Sequence, residues 1–365
     1  MRIMVAMSGG VDSAVAAYLL HRAGHEVVGA TLRLFCYERG EVPDRPCCDE
    51  NAVLEARWSA ERISIPHMVI DFKETFHREV VEDFVSEYGS ARTPNPCIRC
   101  NTHVKFGPLL ERAERIGFDA VATGHYARRD RPPPSEMGWA LYRARDRSKD
   151  QSYVLWGVRA DHLDKCLFPL GRARKAAVRR LARRLGLRSW DRPESQDICF
   201  APTEGHLAFL AERLPEDHPM RRPGPVRHSA TGAVVGEHAG LLGMTVGMRH
   251  GLPRGGPGRL YVVRLDPGSR TLWVGPREAC RERGLIADQT NLLAPREVVE
   301  GEGVRAQIRY RHDAVPCSVR VTGDRWEVVF DESEVGVAPG QSVVLYRDER
   351  VLGGGRIVGA LSARD

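Results

Sequence analysis

Residues 3–13, Ile3-Met4-Val5-Ala6-Met7-Ser8-Gly9-Gly10-Val11-Asp12-Ser13, decide how this chain is read. Ile3 to Met7 is a short apolar run of the kind that forms a buried strand, and Ala14 to Ala23 carries a helical pattern stopped by Gly24. Between them the glycines permit a tight bend and leave backbone N–H groups pointing at whatever lies in front of the turn. Strand, Gly-rich turn and helix start together make an anion site, because unpaired N–H groups and the positive end of the helix dipole converge there. Ser8 and Ser13 can donate hydroxyl hydrogen bonds to phosphate oxygens. Asp12 repels a bare phosphate, so it either orients the loop or engages a bound Mg2+. The loop has neither the spacing nor the lysine of G-x-x-x-x-G-K-[ST], so γ-phosphoryl transfer of the P-loop kind is not indicated. A capped Gly-Gly turn with no ligand is the bland alternative, and the strand–SGGxDS–helix placement outweighs it.

Outward from this loop the first half of the chain alternates. Val27 to Leu32, Met68 to Asp71 and Ala120 to Thr123 read as strands, and Phe106 to Ile116 as a helix closed by Gly117. Such a rhythm predicts an open, mostly parallel sheet with its ligand at the carboxyl ends of the strands, so the loops after residues 7 and 123 are the places to look. Residues 131–138, RPPPSEMG, read as a loop. From residue 171 to 188 there are eight basic residues and no acid, with Val178, Leu181, Ala182 and Leu185 on one helical face. The exposed side is either a solvated Arg face or a surface that tracks phosphates. Residues 214–240 are rich in Pro, Gly and His, and 249–258, RHGLPRGGPG, read as a mobile loop able to close over a site. Short alternating strands follow at Val304 to Tyr310, Ser318 to Val321, Glu327 to Phe330 and Ser342 to Tyr346, which predicts a small antiparallel barrel or sandwich.

The 365 residues suggest two or three domains. With 42% hydrophobic and 28% charged residues the chain is neither disordered nor collagen-like. No apolar run approaches the ~20 residues that span a bilayer, and the first residues lack a signal-peptide core, so a cytoplasmic protein without membrane contact is expected. The net charge of +6 rests on 49 Arg against five Lys. Arg is the better phosphate fork and base stacker, although coding bias alone could produce the ratio. A nucleic-acid partner is permitted.

Nine cysteines occur, at 36, 47, 48, 97, 100, 166, 199, 280 and 317. Pro94-Asn95-Pro96-Cys97-Ile98-Arg99-Cys100-Asn101 carries a C-x-x-C, which is a redox pair, half a zinc site or part of an iron–sulfur site. A cysteine at a helix start beside Arg99 and Lys105 is expected to have a lowered pKa, and thiolate is the form that attacks sulfur. The other candidate, Cys199, lies in Ile198-Cys199-Phe200. With no second C-x-x-C, and with Cys47 and Cys48 adjacent, a structural zinc site ranks low.

The SGGVDS loop resembles that of ATP-dependent adenylating enzymes, which make an AMP ester and release pyrophosphate. The chain as a whole resembles the tRNA-specific 2-thiouridylase (tRNA uridine 2-sulfurtransferase) family. The likeness rests on Ala6 to Ser13, TPNP with CN–VKF around Cys100, Ala122-Thr123-Gly124-His125-Tyr126, Lys149-Asp150-Gln151-Ser152-Tyr153, Phe168-Pro169-Leu170-Gly171 and Ile198-Cys199-Phe200. It continues through Gly236-Glu237-His238, Arg309-Tyr310-Arg311, Pro339-Gly340-Gln341-Ser342 and Leu352-Gly353-Gly354-Gly355.

The resemblance implies an α/β fold with three parts. These are a Rossmann-like adenine-nucleotide alpha-hydrolase (PP-loop) domain with a parallel sheet over 1–200, a small central α+β domain over 201–281, and a C-terminal antiparallel β-barrel over 282–365. It implies 2-thiolation of the wobble uridine of Glu, Gln and Lys tRNAs, with ATP and Mg2+. Ala6, Met7, Ser8, Gly9, Gly10, Val11, Asp12, Ser13, Leu32 and Gly124 would bind ATP. Cys199 would carry a persulfide and Cys100 would attack it, leaving a Cys100–Cys199 disulfide. Asn95, Pro96 and Cys97 would meet the target base, and His125, Lys149, Asp150, Gln151, Arg309, Tyr310 and Gln341 would contact tRNA. The sulfur donor would be a cysteine desulfurase, a relay protein or inorganic sulfide.

One position departs from the family pattern: Cys97 stands where Asp is usual. Cys97, Cys100 and Cys199 together resemble the iron–sulfur tRNA thiolases, in which three thiolates hold a [4Fe–4S] cluster whose open iron carries sulfide. Other readings of Cys97 are a redox partner of Cys100 and a passive replacement. A rival from another class is a tRNA-binding protein without catalysis, and a third is an adenylating amidotransferase or ligase.

Overall fold

The computed structural model describes residues 1–35, 50–192, 198–202, 205–252 and 259–361. Cys36, Cys47, Cys48, residues 194–197 and most of the 249–258 loop lie outside the described residues.

The apolar runs of the first half become β1 (Arg2–Ala6), β2 (Glu26–Arg33), β3 (His67–Asp71) and β4 (Ala120–Ala122), with helix α1 (Val11–Arg22) after β1. The chain then leaves as a hairpin, β5 (Ala127–Asp130) and β6 (Ala140–Arg143), and returns as β7 (Cys166–Leu167). The sheet order is β3-β2-β1-β4-β7, all parallel. Ile3, Met4 and Val5 are wholly buried, as strands covered on both faces must be. The order reverses between β1 and β4, so the crevice beyond their carboxyl ends is the switch point where ligands bind. The basic segment forms the helix Lys175–Arg184, with Val178 and Ala182 buried in the cluster that α1 supplies with Ala14, Val15, Ala16 and Ala17.

The helix expected from Phe106 starts later. Pro96–Cys100 is a short α-helix that runs into a π-helical turn, Asn101–Lys105, and the next helix is Pro108–Arg115. Gly107, with φ −124° and ψ −102°, breaks the run, and Pro108 takes the first helical position, where its missing N–H costs nothing.

A central unit holds β8 (Gly224–His228), β9 (Val234–His238), β10 (Tyr261–Asp266) and β11 (Thr271–Gly275) in the order β10-β11-β8-β9, over a core of Val226, Leu241, Val262, Leu272 and Val274. It matches the expected small central domain.

The last part is a closed antiparallel barrel of β12 (Arg281–Leu292), β13 (Arg305–Gln307), β14 (Val315–Thr322), β15 (Arg325–Val335), β16 (Ser342–Arg347) and β17 (Arg350–Ala360), in which β12 pairs with both β15 and β17. Its interior takes alternate residues of β14, namely Cys317, Val319 and Val321. The glycine run of β17 makes room for tryptophans: a Cβ on Gly354 would lie 2.6 Å from the Trp156 ring, and one on Gly353 would lie 2.9 Å from Trp326.

The β5–β6 hairpin joins the barrel's sheet, β6 pairing with β17 at Tyr142 and Arg350. Arg350 donates to both oxygens of Glu136 at 2.7 and 2.5 Å, and the Tyr153 hydroxyl donates to the Ser342 carbonyl at 2.8 Å. Val344, Tyr346 and Val351 of the barrel belong to the same apolar cluster as Phe84, Val104 and Leu155. Among the described residues no helix is long and apolar enough to cross a membrane.

Candidate active site

The loops after β1 and β4 close on one another. The Met7 N–H donates to the Ala30 carbonyl at 2.8 Å, which ends the strand and starts the turn. Gly9 has φ +73°, and a Cβ there would lie 2.7 Å from the Ala52 carbonyl oxygen, so both its conformation and its surroundings require glycine. The Ser13 hydroxyl donates to the Gly10 carbonyl at 3.1 Å and accepts from the Ser8 N–H at 3.3 Å. Across the crevice, a Cβ on Gly124 would lie 2.7 Å from the Ser13 nitrogen. The pocket between them, about 220 Å³, is lined by Ala6, Met7, Ser8, Asp12, Ser13, Leu32, Leu34, Lys105, Thr123, Gly124, His125 and Gln151. Seven of the ten expected ATP residues line it, while Gly9, Gly10 and Val11 shape the turn behind it.

Asp12 is the one acid among these lining residues. The Tyr126 hydroxyl donates to one of its oxygens at 2.8 Å and the Lys175 ammonium to the other at 2.6 Å. A carboxylate has about four lone-pair sites, so capacity remains for a cation arriving with a nucleotide. Lys105 lines the pocket as well, its ammonium donating to Asn101 Oδ1 at 3.2 Å, and Asn101 is buried with its amide on the Val154 carbonyl. His125 lies against Phe106 and Phe168, and burial, aided by the charge of Lys105, lowers its pKa to about 3. It is a neutral imidazole, and its Nδ1 shares a 2.8 Å hydrogen bond with the Thr123 hydroxyl.

The thiols of Cys100 and Cys199 belong to the apolar core that also holds two of the pocket's leucines. Cys100 is buried in the cluster that contains the pocket-lining Leu32 and Leu34, and Cys199 packs against the same cluster. Its neighbour Phe200 is wedged among Phe76, Phe84 and Phe209, with ring centroids 5.1–5.7 Å apart. Cys97 is exposed as a residue, while its thiol is enclosed by neighbouring groups. Crowding raises its pKa, Lys105 opposes this, and Cys100 adds to it. The lowered pKa expected for a cysteine at this helix start is therefore not found at Cys97. Arg99 gives it no help, since its guanidinium is taken by Glu79, Asp83 and His103. Among the described residues no three His, Cys, Asp or Glu side chains converge on one point. Cys97, Cys100 and Cys199 thus do not converge as a ligand set for a [4Fe–4S] cluster.

The remaining site residues are placed as follows. Asn95 caps the Pro96–Cys100 helix, its Oδ1 accepting from the N–H groups of Cys97 and Ile98, and Pro96 is buried behind it. Gln151 and His125 line the nucleotide pocket. Lys149 is half-buried in the adjoining turn. Asp150 faces inward, bonded to Arg143, Ser152 and the Ala144 N–H. Gln341 donates to the Thr93 carbonyl at 2.8 Å, and Arg309 to the Val335 carbonyl at 3.0 Å. Tyr310 is the exposed one, its ring 6.0 Å from that of Tyr153. A second cavity, about 360 Å³, lies between the Asn95 helix and the barrel, lined in part by Asn95, Arg99, Trp156, Asn291 and Arg356. Sequence reasoning missed Lys175, Tyr126 and Lys105 as parts of the nucleotide site. Lys175 was legible only as one more cation in a basic run.

A switch-point pocket with an SGGxDS turn, on a parallel sheet followed by a closed barrel, defines a PP-loop protein that binds adenine nucleotides. The chain matches the family models described as a tRNA methyl transferase HUP domain over residues 1–203, a tRNA methyl transferase PRC-barrel domain over 208–276 and an aminomethyltransferase beta-barrel domain over 282–357. It is 44% identical to the tRNA-specific 2-thiouridylase MnmA of Geobacter metallireducens, over 99% of this chain and 98% of that one. It is 44% identical to that of Thermus thermophilus, over 97% and 94%. The chain belongs to the tRNA-specific 2-thiouridylase family.

Proposed function

We propose that this protein is a tRNA-uridine 2-sulfurtransferase that uses ATP and Mg2+ to thiolate position 2 of the wobble uridine in tRNAs of the Glu, Gln and Lys types. The uracil 2-oxygen attacks the α-phosphorus of ATP, pyrophosphate leaves, and the oxygen becomes part of an AMP leaving group. Ser8, the N–H groups of the turn and Lys105 hold phosphate oxygens, and Asp12 would hold the Mg2+ that accompanies them, which would supply charge neutralisation at the phosphates. Cys199 bears a persulfide. Cys100 thiolate attacks the Cys199 sulfur, forming the Cys100–Cys199 disulfide and expelling the outer sulfur as sulfide. The sulfide adds to C2 and AMP departs. Two thiol sulfurs are oxidised as the sulfane sulfur is reduced, so an external thiol must reopen the disulfide before the next turnover. The donor is a desulfurase, a relay protein or sulfide, and the setting is cytoplasmic.

One observation carries this reading: the leucines of the nucleotide pocket and both cysteines share one apolar cluster, and Lys105 reaches the pocket from the turn that follows Cys100. This supports a reading in which a nucleotide-activated oxygen meets a sulfur nucleophile. A base modified inside a folded tRNA must leave its stack to arrive there. The test is tRNA-dependent AMP release together with mass-spectrometric detection of 2-thiouridine. Cys199→Ser is expected to keep tRNA binding and lose thiolation, and Asp12→Ala to lose AMP release. Full thiolation by the first, or normal AMP release by the second, rejects the assigned role. Tight tRNA binding by the wild type with no AMP release favours the non-catalytic alternative.

A further inference from the structure

We propose that Lys175, together with the Tyr126 hydroxyl, is the positioning device of the adenylation step, gripping both carboxylate oxygens of Asp12 and holding that acid neutralised until the nucleotide and its metal arrive. This rests on the adenylating function proposed above and assigns a role to a residue outside the SGGxDS loop. Of the eight basic residues between 171 and 188, Lys175 alone is buried. Its side chain is 9% exposed, with the ammonium 2.6 Å from Asp12 and 5.7 Å from the Tyr126 ring centroid. The chain uses Arg for 49 of its 54 basic residues, yet two of its five lysines, 105 and 175, stand at this site. A compact ammonium suits a narrow gap between a carboxylate and a ring, where the planar guanidinium fork does not.

The grip is itself held from behind. The Lys175 N–H donates to Asp146 Oδ2 at 2.9 Å, which fixes the start of the Lys175–Arg184 helix, and the Ser148 hydroxyl holds the other Asp146 oxygen at 2.7 Å. Tyr126 is fixed through both its backbone groups by Gln151, whose Oε1 accepts the Tyr126 N–H and whose own N–H donates to the Tyr126 carbonyl. Asp12 is therefore aimed by residues that follow β4 and β7, while its own backbone belongs to α1. An unpaired carboxylate in this pocket would repel a triphosphate. Paired with Lys175 it does not, and a metal ion accompanying the nucleotide would meet a carboxylate already aimed at it. Lys175 acts on the reaction through Asp12.

The experiment is a double-mutant cycle on tRNA-stimulated AMP release by the full chain, using Lys175→Met, Asp12→Asn and both together. Lys175→Met is expected to lower kcat for AMP release at least tenfold while tRNA affinity stays within twofold of wild type. The double variant is expected to be no slower than Asp12→Asn alone, since a residue acting only through Asp12 has nothing left to lose. Tyr126→Phe, which removes one hydroxyl and no packing, is expected to give a smaller loss of the same kind and keeps the test open if Lys175→Met fails to fold. Additive losses in the cycle, or wild-type AMP release by Lys175→Met and Tyr126→Phe, overturn the proposal. Wild-type protein that releases no AMP in the same assay overturns the adenylating function instead.

Discussion

Replacing Gly124 by alanine adds a single methyl group, and the geometry of the crevice makes that methyl costly. The new Cβ would lie 2.7 Å from the Ser13 nitrogen, 2.8 Å from the Asp12 carbonyl carbon and 3.0 Å from Asp12 Cβ. Ordinary contact begins at 3.4 Å, so the first turn of α1 and the turn after β4 must part by roughly 0.7 Å. Neither neighbour is the end of a flexible side chain. Overpacking of this kind costs about 1–3 kcal/mol in stability. The larger consequence is chemical, because the displaced atoms are the backbone of the phosphate turn and the carboxylate gripped by Lys175. Misplacement of reacting groups by ~1 Å is worth about a hundredfold in rate, so a loss of about 10- to 100-fold in kcat for tRNA-dependent AMP release is expected. The Gly359→Ala variant is the control, since nothing lies within 4 Å of a Cβ there. An alanine at 124 that leaves kcat and the KM for ATP at wild-type values would refute the claim that this glycine sets the distance between the two loops.

Three further outcomes are expected. Arg356 spans from β17 to Asp83 at 2.6 and 2.9 Å and approaches Glu87 at 3.5 Å, and all three side chains are largely buried. Arg356→Ala leaves Asp83 with Arg99 and Glu87 with Arg92 as partners and is expected to cost about 1.5–3 kcal/mol in urea unfolding through the lost charged hydrogen bonds, and a change below about 0.5 kcal/mol would show the pairing to be dispensable. His125 has a folded pKa of about 3 against an ordinary value of 6.5, so the unfolded chain binds the extra proton between those values. Stability should fall as pH drops from about 6.5 toward 3, and His125→Asn should flatten that part of the melting-temperature profile. Lys105→Gln removes the cation shared by the pocket, Cys97 and His125. It is expected to weaken ATP binding about tenfold and to make Cys97 slower to alkylate at pH 8, since the charge that favours its thiolate is gone.

The nucleotide half of the site was legible because its information is local. A strand, two glycines and a helix start lie within the first two dozen residues, and the same pattern encodes the turn and its dipole. Gly124 was legible only through its motif, because the reason for a glycine there is the backbone of Ser13, more than a hundred residues away. Lys175 was hidden for the same reason, since nothing in a basic run tells which cation turns inward. In the barrel, β14 shows the alternation of a half-buried strand, whereas β17 is buried on both sides and contains three consecutive glycines, so neither periodicity nor propensity marks it. Asp150, Arg309 and Gln341 entered only as tRNA contacts implied by the resemblance, and sequence alone did not show that they also bond within the chain, to Arg143 and Ser152, Val335 and Thr93. The pKa expected for a cysteine at the Pro96 helix start failed at Cys97 because charge was counted and crowding was not.

The hairpin that β5 and β6 lend to the barrel bears on how the molecule can be taken apart. A fragment cut at residue 282 would lose the Trp156 ring that covers Gly354, the carboxylate that neutralises Arg350 and the strand beside β17, leaving an open, sticky margin. A fragment ending near 200 would bare the face that Val344, Tyr346 and Val351 now shield. Truncation libraries should therefore yield insoluble halves, and calorimetry of the intact chain should show the catalytic segment and the barrel melting together.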